Sequence, residues 1–298
     1  MCVGYKEREL VYHPKFVRAF PLSAITKDFE VAFRPHSHHI FTAIARAGPE
    51  YAIWDIDTQK IVVGPWQQQV EAVKIGWPHP AWNSTGTFIA VGDHSLGYTN
   101  IWSAIDGSLA AGPFVHDNAG LNSVAYSPSG ESIASASYSG TVKIWNIKTG
   151  IAQATITFSG PCMSILYSPN ETLLVSCFGT FKNNDKSVRT EVVESATVAR
   201  YSPDGNGIVA YGPYKVVEGQ FGCMALSPNG KYVAVAEGGR YRFLVLDLLT
   251  GKDVKLMLEQ PGVLVSSASF SSDGAFLAYA TIGAGVRICN LLKHGYSM

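Results

Sequence analysis

The chain has 298 residues, with 23 Lys plus Arg against 23 Asp plus Glu, so no net basic field exists to recruit nucleic acid or an anionic membrane surface. Hydrophobic residues make up 47% and charged residues 15%, which argues against helical arrays rich in Lys and Glu and for an all-β fold. The five cysteines, Cys2, Cys162, Cys177, Cys223 and Cys289, are scattered and form no CxxC pair, which excludes a disulfide frame or a zinc knuckle and fits reduced thiols in a cytoplasmic or nuclear protein.

The N-terminal stretch MCVGYKERELVYH has no apolar signal core, and no 18-residue apolar run follows anywhere, so no membrane association is expected. Arg8 to Phe20 offers one strand with no partner nearby. From there a turn recurs along the chain. Its segments are AFRPHSH, AWNSTG, AYSPSG, LYSPNE, RYSPDG, ALSPNG and SFSSDG, centred on Pro35, Ser84, Pro128, Pro169, Pro203, Pro228 and Ser272. Proline fixes φ and glycine tolerates positive φ, so these are turns between paired strands. Asn83-Ser84-Thr85 and Asn170-Glu171-Thr172, which match a glycosylation sequon, fall on them and read as ordinary turns.

After each turn comes a strand of small or β-branched residues: FIAVG at 88–92, IASAS at 133–137, YVAVA at 232–236 and FLAYA at 276–280. Small side chains are expected near a crowded central axis. A third strand then ends in a repeated way, as AIWDIDT at 52–58, NIWSAIDG at 100–107, KIWNIKTG at 143–150, LVLDLLTG at 244–251 and RICNLL at 287–292. The turn-to-turn intervals are 49, 44, 41, 34, 25 and 44 residues, and a period near 40 to 45 suits four-stranded propeller blades.

The turns, the small second strands and the Trp-ended third strands together resemble the WD-repeat (WD40) β-propeller family over nearly the whole chain. The resemblance is strongest at 75–150, good at 222–292 and weak at 170–221. It extends to the WD arrays of fungal proteins, including those attached to NOD-like NTPase receptors, although no GxxxxGK[ST] loop is present. It implies one all-β propeller domain over 1–298, with seven blades favoured over six. The strand in Arg8 to Phe20 would close the ring against the last repeat, because shared terminal blades remove free edges. The short interval between Pro203 and Pro228 leaves the middle trimmed or irregular, and FKNNDK at 181–186 reads as an exposed loop.

The family ties its strands with Trp, Ser or Thr, His and Asp. In the third repeat Trp145, Ser135 or Ser137, and His116 remain. The position of the Asp holds Gly48, Leu96, Ser139, Arg240 and Gly283 in the alignable repeats, so the network is expected to be incomplete.

Candidates for chemistry are few. His36, His38 and His39 could approach a metal, but strand alternation separates them and no metal or other cofactor is expected. Asp55 and Asp57 could look like a carboxylate pair, but the resemblance puts Asp55 at the aspartate of the repeat, and Asp57 begins the turn into the outer strand. Asp93, His94, His116 and Asp117 could converge at a channel mouth, the only hint of a hydrolase or isomerase. Trp66 and Phe114 occupy matching positions after Gly64-Pro65 and Gly112-Pro113, where they would anchor a partner or pack on the neighbouring blade. Lys182, Lys186 and Arg189 are mixed with Asp185 and Glu191 and make no nucleic-acid site.

The expectation is a non-catalytic, monomeric scaffold for protein–protein interaction. A protein or peptide would bind a loop face made by Trp66, Asp93, His94, His116, Tyr138, Glu237, Arg240 and Tyr241. The alternatives are a propeller enzyme or a small-molecule or sugar-binding propeller with its site at the channel mouth.

Overall fold

The computed structural model describes residues 17–19, 29–44, 50–67, 78–94, 96–116, 119–177, 181–183, 188–194, 198–201, 208–211, 223–237, 242–248, 253–259, 264–282 and 285–291. Pro203, and therefore one of the expected turns, lies outside them. β1 (Val17–Ala19) comes first in the chain, and the three sheets that follow are antiparallel meanders. The first sheet holds β2 (Phe29–Phe33), β3 (His39–Ile44), β4 (Glu50–Asp55) and β5 (Lys60–Gln67). The second holds β6 (Pro78–Trp82), β7 (Phe88–Asp93), β8 (Tyr98–Ser103) and β9 (Leu109–Val115), and the third β10 (Leu121–Tyr126), β11 (Ser132–Ser137), β12 (Thr141–Asn146) and β13 (Ala152–Phe158).

The weak middle of the sequence is irregular in structure too. β14 (Cys162–Tyr167) and β15 (Leu173–Cys177) form a hairpin. β16 (Phe181–Asn183) then crosses back to the outer edge of β13, so FKN is a strand where a loop was expected. β17 (Thr190–Glu194) joins β15 in parallel, and β18 (Val198–Tyr201) pairs with β19 (Ile208–Tyr211), among the described residues its one strand partner. Regular order returns with β20 (Met224–Leu226), β21 (Tyr232–Glu237), β22 (Arg242–Asp247) and β23 (Asp253–Glu259). In the last sheet β24 (Val265–Phe270), β25 (Phe276–Thr281) and β26 (Gly285–Asn290) are joined by β1, with Val17 opposite Cys289.

The recurring turn is one hydrogen-bonding device. In four of the turns the first residue is Ser or Asn, and its side-chain oxygen accepts the N–H five residues on. Asn83 takes Phe88 at 3.0 Å, Ser127 takes Ser132 at 3.1 Å, Ser227 takes Tyr232 at 2.9 Å and Ser271 takes Phe276 at 2.9 Å. This satisfies a donor that the tight turn would otherwise leave open.

The first strands of the sheets neighbour one another, and described residues of β2, β6, β10, β14, β20 and β24 line a common central cavity of about 600 Å³. Hydroxyl and amide groups stitch these strands together across sheets. Ser123 Oγ accepts the Ile165 N–H at 3.1 Å, Ser267 Oγ accepts the Val31 N–H at 3.3 Å, Ser269 Oγ accepts the Phe33 N–H at 3.1 Å and Asn122 Nδ2 donates to Cys162 O at 2.9 Å.

The small-residue strands are not those nearest the axis. β3, β7, β11 and β25 stand one place further out and are buried on both faces. Ala90, Ala134, Ala136, Ala278 and Ala280 are fully enclosed, because each second strand is sandwiched between the sheets on either side. Neighbouring sheets share interior clusters. Val31, Phe33, Ile40 and Trp54 of the first sheet pack with Ala278, Val286 and Ile288 of the last.

Candidate interaction face

The loops after the second strands and the loops that enter the first strands meet at one end of the sheets. Asp93 closes β7 and is buried; its Oδ1 accepts the Leu96 N–H at 2.8 Å, and its carbonyl accepts the Gly97 N–H at 3.1 Å. Gly97 O then accepts the His116 N–H at 2.7 Å, which ties this loop to the segment leading into the third sheet. His94 Nδ1 lies 3.0 Å from Leu121 O. Gly120 O accepts the Tyr138 N–H at 2.9 Å, which fixes the next loop in turn. The Ser137–Gly140 turn is held from within by the Ser137 and Ser139 hydroxyls, 2.7 Å apart, and by Ser137 Oγ donating to Thr141 O at 3.1 Å. Tyr138 stands on it 60% exposed.

Behind these loops lies His79 on β6, a residue with no signal in the sequence. Its ring centroid is 6.4 Å from that of His94 at 71°, and both residues line the cavity. Burial drives the His79 imidazole down to about 3, and the neighbouring His94 adds to the shift, against a hydrogen bond to the Leu121 backbone. His79 is therefore neutral at pH 7. The segment PHPAW hides it, because a lone His between two prolines carries no spacing pattern.

Several expected site residues serve the interior. Trp66 is only partly exposed. Its ring lies 6.0 Å from Tyr51 and 6.5 Å from Trp102 of the second sheet. Phe114 is buried and sits 6.0 Å from Trp145 of the third sheet. The outer-strand aromatic of one sheet thus packs on the third-strand Trp of the next. His116 is buried and faces inward, with Nδ1 2.8 Å from Ser135 Oγ. Of Ser135 and Ser137, it is Ser135 that joins the Trp145 set. Thr42 plays the same part for Trp54 at 3.0 Å, a pairing not foreseen from sequence. Glu237 ends β21 opposite Arg242. Arg240, Tyr241 and Asp117 lie outside the described residues.

The histidines of the first turn are divided among carboxylates. His38 Nδ1 is 2.9 Å from Asp57 Oδ2, and its Nε2 is 3.4 Å from Asp273 Oδ2 of the last sheet. The hydrogen bond that His38 donates to Asp57 raises the His38 pKa, against burial, and Asp273 adds to the rise. His39 faces Asp55 at 3.6 Å. Asp55 accepts the N–H groups of Thr58 and Asp57, which hold its carboxyl below the usual range against burial. Asp55 ends β4, and Asp57 stands in the turn that follows.

The family described as "WD domain, G-beta repeat" matches residues 113–146, the stretch from Phe114 through Trp145. Periodic tryptophan protein 2 homolog of Dictyostelium discoideum is 28% identical over 218 residues, 71% of this chain and 21% of that protein. Periodic tryptophan protein 2 of Saccharomyces cerevisiae is 23% identical over 269 residues, 88% of this chain and 26% of that protein. The chain thus spans about a fifth to a quarter of the length of these relatives. Among solved structures, the Cps50 (Swd1) β-propeller domain of Myceliophteria thermophila superposes with a TM-score of 0.70 over 92% of this chain and 99% of that one, at 15% identity, and shows the propeller fold. Trp54, Trp102 and Trp145, recurring at the ends of third strands in an all-β propeller, fit these matches: the chain is similar to WD-repeat propellers and carries a match to the WD repeat at 113–146.

Proposed function

We propose that this chain is a non-catalytic scaffold that receives a protein or peptide segment on the face built by the loops 93–97, 116–120 and 138–140. The observation that carries this reading is Tyr138, an exposed aromatic on a turn already fixed by backbone and hydroxyl hydrogen bonds. A preorganised loop loses little freedom on binding, and Tyr is among the residues that anchor interfaces. His94 and the cavity mouth adjoin it, and Trp66 and Phe114 support the face from behind by wedging one sheet against the next. Glu237, Arg240 and Tyr241 extend the same face in this reading.

Affinity capture with the full chain tests the proposal. Proteins held by the wild type are compared with those held by Tyr138→Ala, His94→Ala and the double variant. A specific partner should weaken about thirtyfold or more on loss of a central anchor. A partner retained at wild-type affinity by the double variant removes this face as its site.

A further inference from the structure

Cys162 and Cys177 stand 15 residues apart in the chain, a spacing that signals nothing in the sequence. The hairpin of β14 and β15 sets them directly opposite one another. Opposite residues of an antiparallel pair have Cα atoms about 4.5 or 5.5 Å apart, depending on whether the pair exchanges hydrogen bonds. Both values fall inside the window of roughly 4.4–6.8 Å that a disulfide spans. Opposite side chains also share one face of the sheet. The two thiols are accordingly buried in one cluster, with Leu173 and Val175 of the hairpin and Ala134 and Ile156 of the third sheet. Closing a bond between them asks the Cβ atoms to approach by about 1 Å. The register shift between Cys162 and Ser164 gives β14 the slack for that approach.

We propose that Cys162 and Cys177 are a reversible thiol–disulfide site, oxidised by a low-molecular-weight disulfide such as glutathione disulfide. One thiolate attacks a glutathione sulfur, forms a mixed disulfide and releases one glutathione thiolate. The second thiolate displaces the remaining glutathione and closes the Cys162–Cys177 bond. Two electrons pass from the protein thiols to the oxidant, and their two protons end on the two glutathione thiols. The fold gates the exchange. Both side chains are fully enclosed, and burial pushes the Cys162 thiol up to about 12, with the facing Cys177 adding to the shift. The closed hairpin is therefore inert, and exchange proceeds when β14 and β15 part locally. Once formed, the bond staples β14, whose Met163 and Ser164 line the central cavity, to β15.

The full chain is equilibrated in buffers of graded glutathione disulfide and glutathione, once from the folded state and once by refolding from urea. Samples are quenched in acid, denatured and alkylated with N-ethylmaleimide. Trypsin releases residues 149–182 as one peptide that holds both cysteines. Two maleimide adducts mark the dithiol, no adduct with the loss of two hydrogens marks the disulfide, and a glutathione adduct marks the mixed form. The disulfide should fill as the oxidised fraction of glutathione rises and should empty on addition of dithiothreitol. The same titration in urea reads the unfolded chain. The native fold should favour the bond by about tenfold or more over the unfolded chain, and the urea midpoint of the oxidised protein should rise to match. A native preference equal to or below that of the unfolded chain would overturn the proposal, as would mixed glutathione adducts in place of the disulfide. Refolding from urea brings the pair to equilibrium even where the folded hairpin opens too slowly for the oxidant to enter.

Discussion

Trp145 donates its indole N–H to Ser135 Oγ at 3.0 Å, deep in the third sheet. The geometry follows from register. Trp145 lies opposite Ile133, and Ser135 is two residues further along the same face. The first sheet repeats it, with Trp54 opposite Ile40 and Thr42 two residues on. In the second sheet Trp102 lies opposite Ile89, and the residue two further on is Val91. The Trp102 indole nitrogen is buried with no hydrogen-bond partner among the described residues. Val91→Thr, nearly equal in shape, would supply the missing acceptor. A gain of about 1 kcal/mol is expected from urea denaturation. In the Trp102→Phe background the same substitution should give no gain, because the donor is gone.

Trp145→Ala should cost about 3–5 kcal/mol, the range for truncating a buried aromatic. The residue is 6% exposed and packs against Phe114. A loss below about 1 kcal/mol in the same denaturation experiment would remove Trp145 from the core. Ser135→Ala isolates the hydrogen-bonding share and should cost about 1–3 kcal/mol, since it leaves a buried indole N–H without its acceptor.

The repeat itself was legible because turn chemistry and the Trp-ended strands lie close together in sequence. The same locality explains what stayed open. Trp66 follows Gly-Pro in an outer strand and looks like a surface aromatic, yet its ring fills space between two sheets whose strands are far apart in the chain. Nothing near Trp66 in sequence announces Trp102. His116 could be placed in its network because Trp145 and Ser135 sit within one repeat. The 170–221 stretch stayed opaque because β16 pairs backward with the third sheet and β17 pairs in parallel, so neither follows the meander that the other repeats teach.

Gly107 and Gly150 occupy equivalent turns with left-handed φ of 75° and 71°. They differ in what surrounds them. A Cβ on Gly107 would lie 3.0 Å from the Trp66 ring, whereas one on Gly150 would meet nothing within 4 Å. Gly150→Ala should lose about 1 kcal/mol from backbone strain alone. Gly107→Ala should lose more, and the excess measures how firmly Trp66 is seated. Equal losses in thermal melts would mean that the ring shifts freely.

Two histidines should give the stability profile opposite slopes. His79 has a folded pKa of about 3, below the unfolded value near 6.5, so its neutral form favours the fold above pH 6.5. That contribution is lost as pH falls from about 6.5 toward 3, with a limiting slope of about 1.4 kcal/mol per pH unit. The slope should fall short of that limit, because the residue is partly exposed on the cavity wall. His38 has a raised folded pKa, so its clasp on Asp57 and Asp273 is complete below about pH 6.5 and is lost as pH rises through the folded value. Chemical denaturation across pH 4 to 8 should show the acid limb flattened in His79→Gln. The change near neutrality should be flattened in His38→Gln. An acid limb unchanged in His79→Gln would assign it to carboxylates such as Asp55.

Removal of residues 1–20 should destabilise the molecule through the last sheet. β1 covers the outer edge of β26, with Arg18 opposite Ile288 and Ala19 opposite Arg287. Its loss leaves β26 as an open edge beside the contact between first and last sheets, where Val286 and Ile288 pack on Val31 and Trp54. Each kcal/mol lost should lower the melting temperature by about 2–4 °C in a domain of this size. Amide exchange should rise first in Gly285–Asn290 and then in β2, since Ser267 and Ser269 tie that strand to β24. If the melting temperature and the exchange of Gly285–Asn290 both stay unchanged, the β1 pairing contributes nothing to stability, and the last sheet stands on its own three strands.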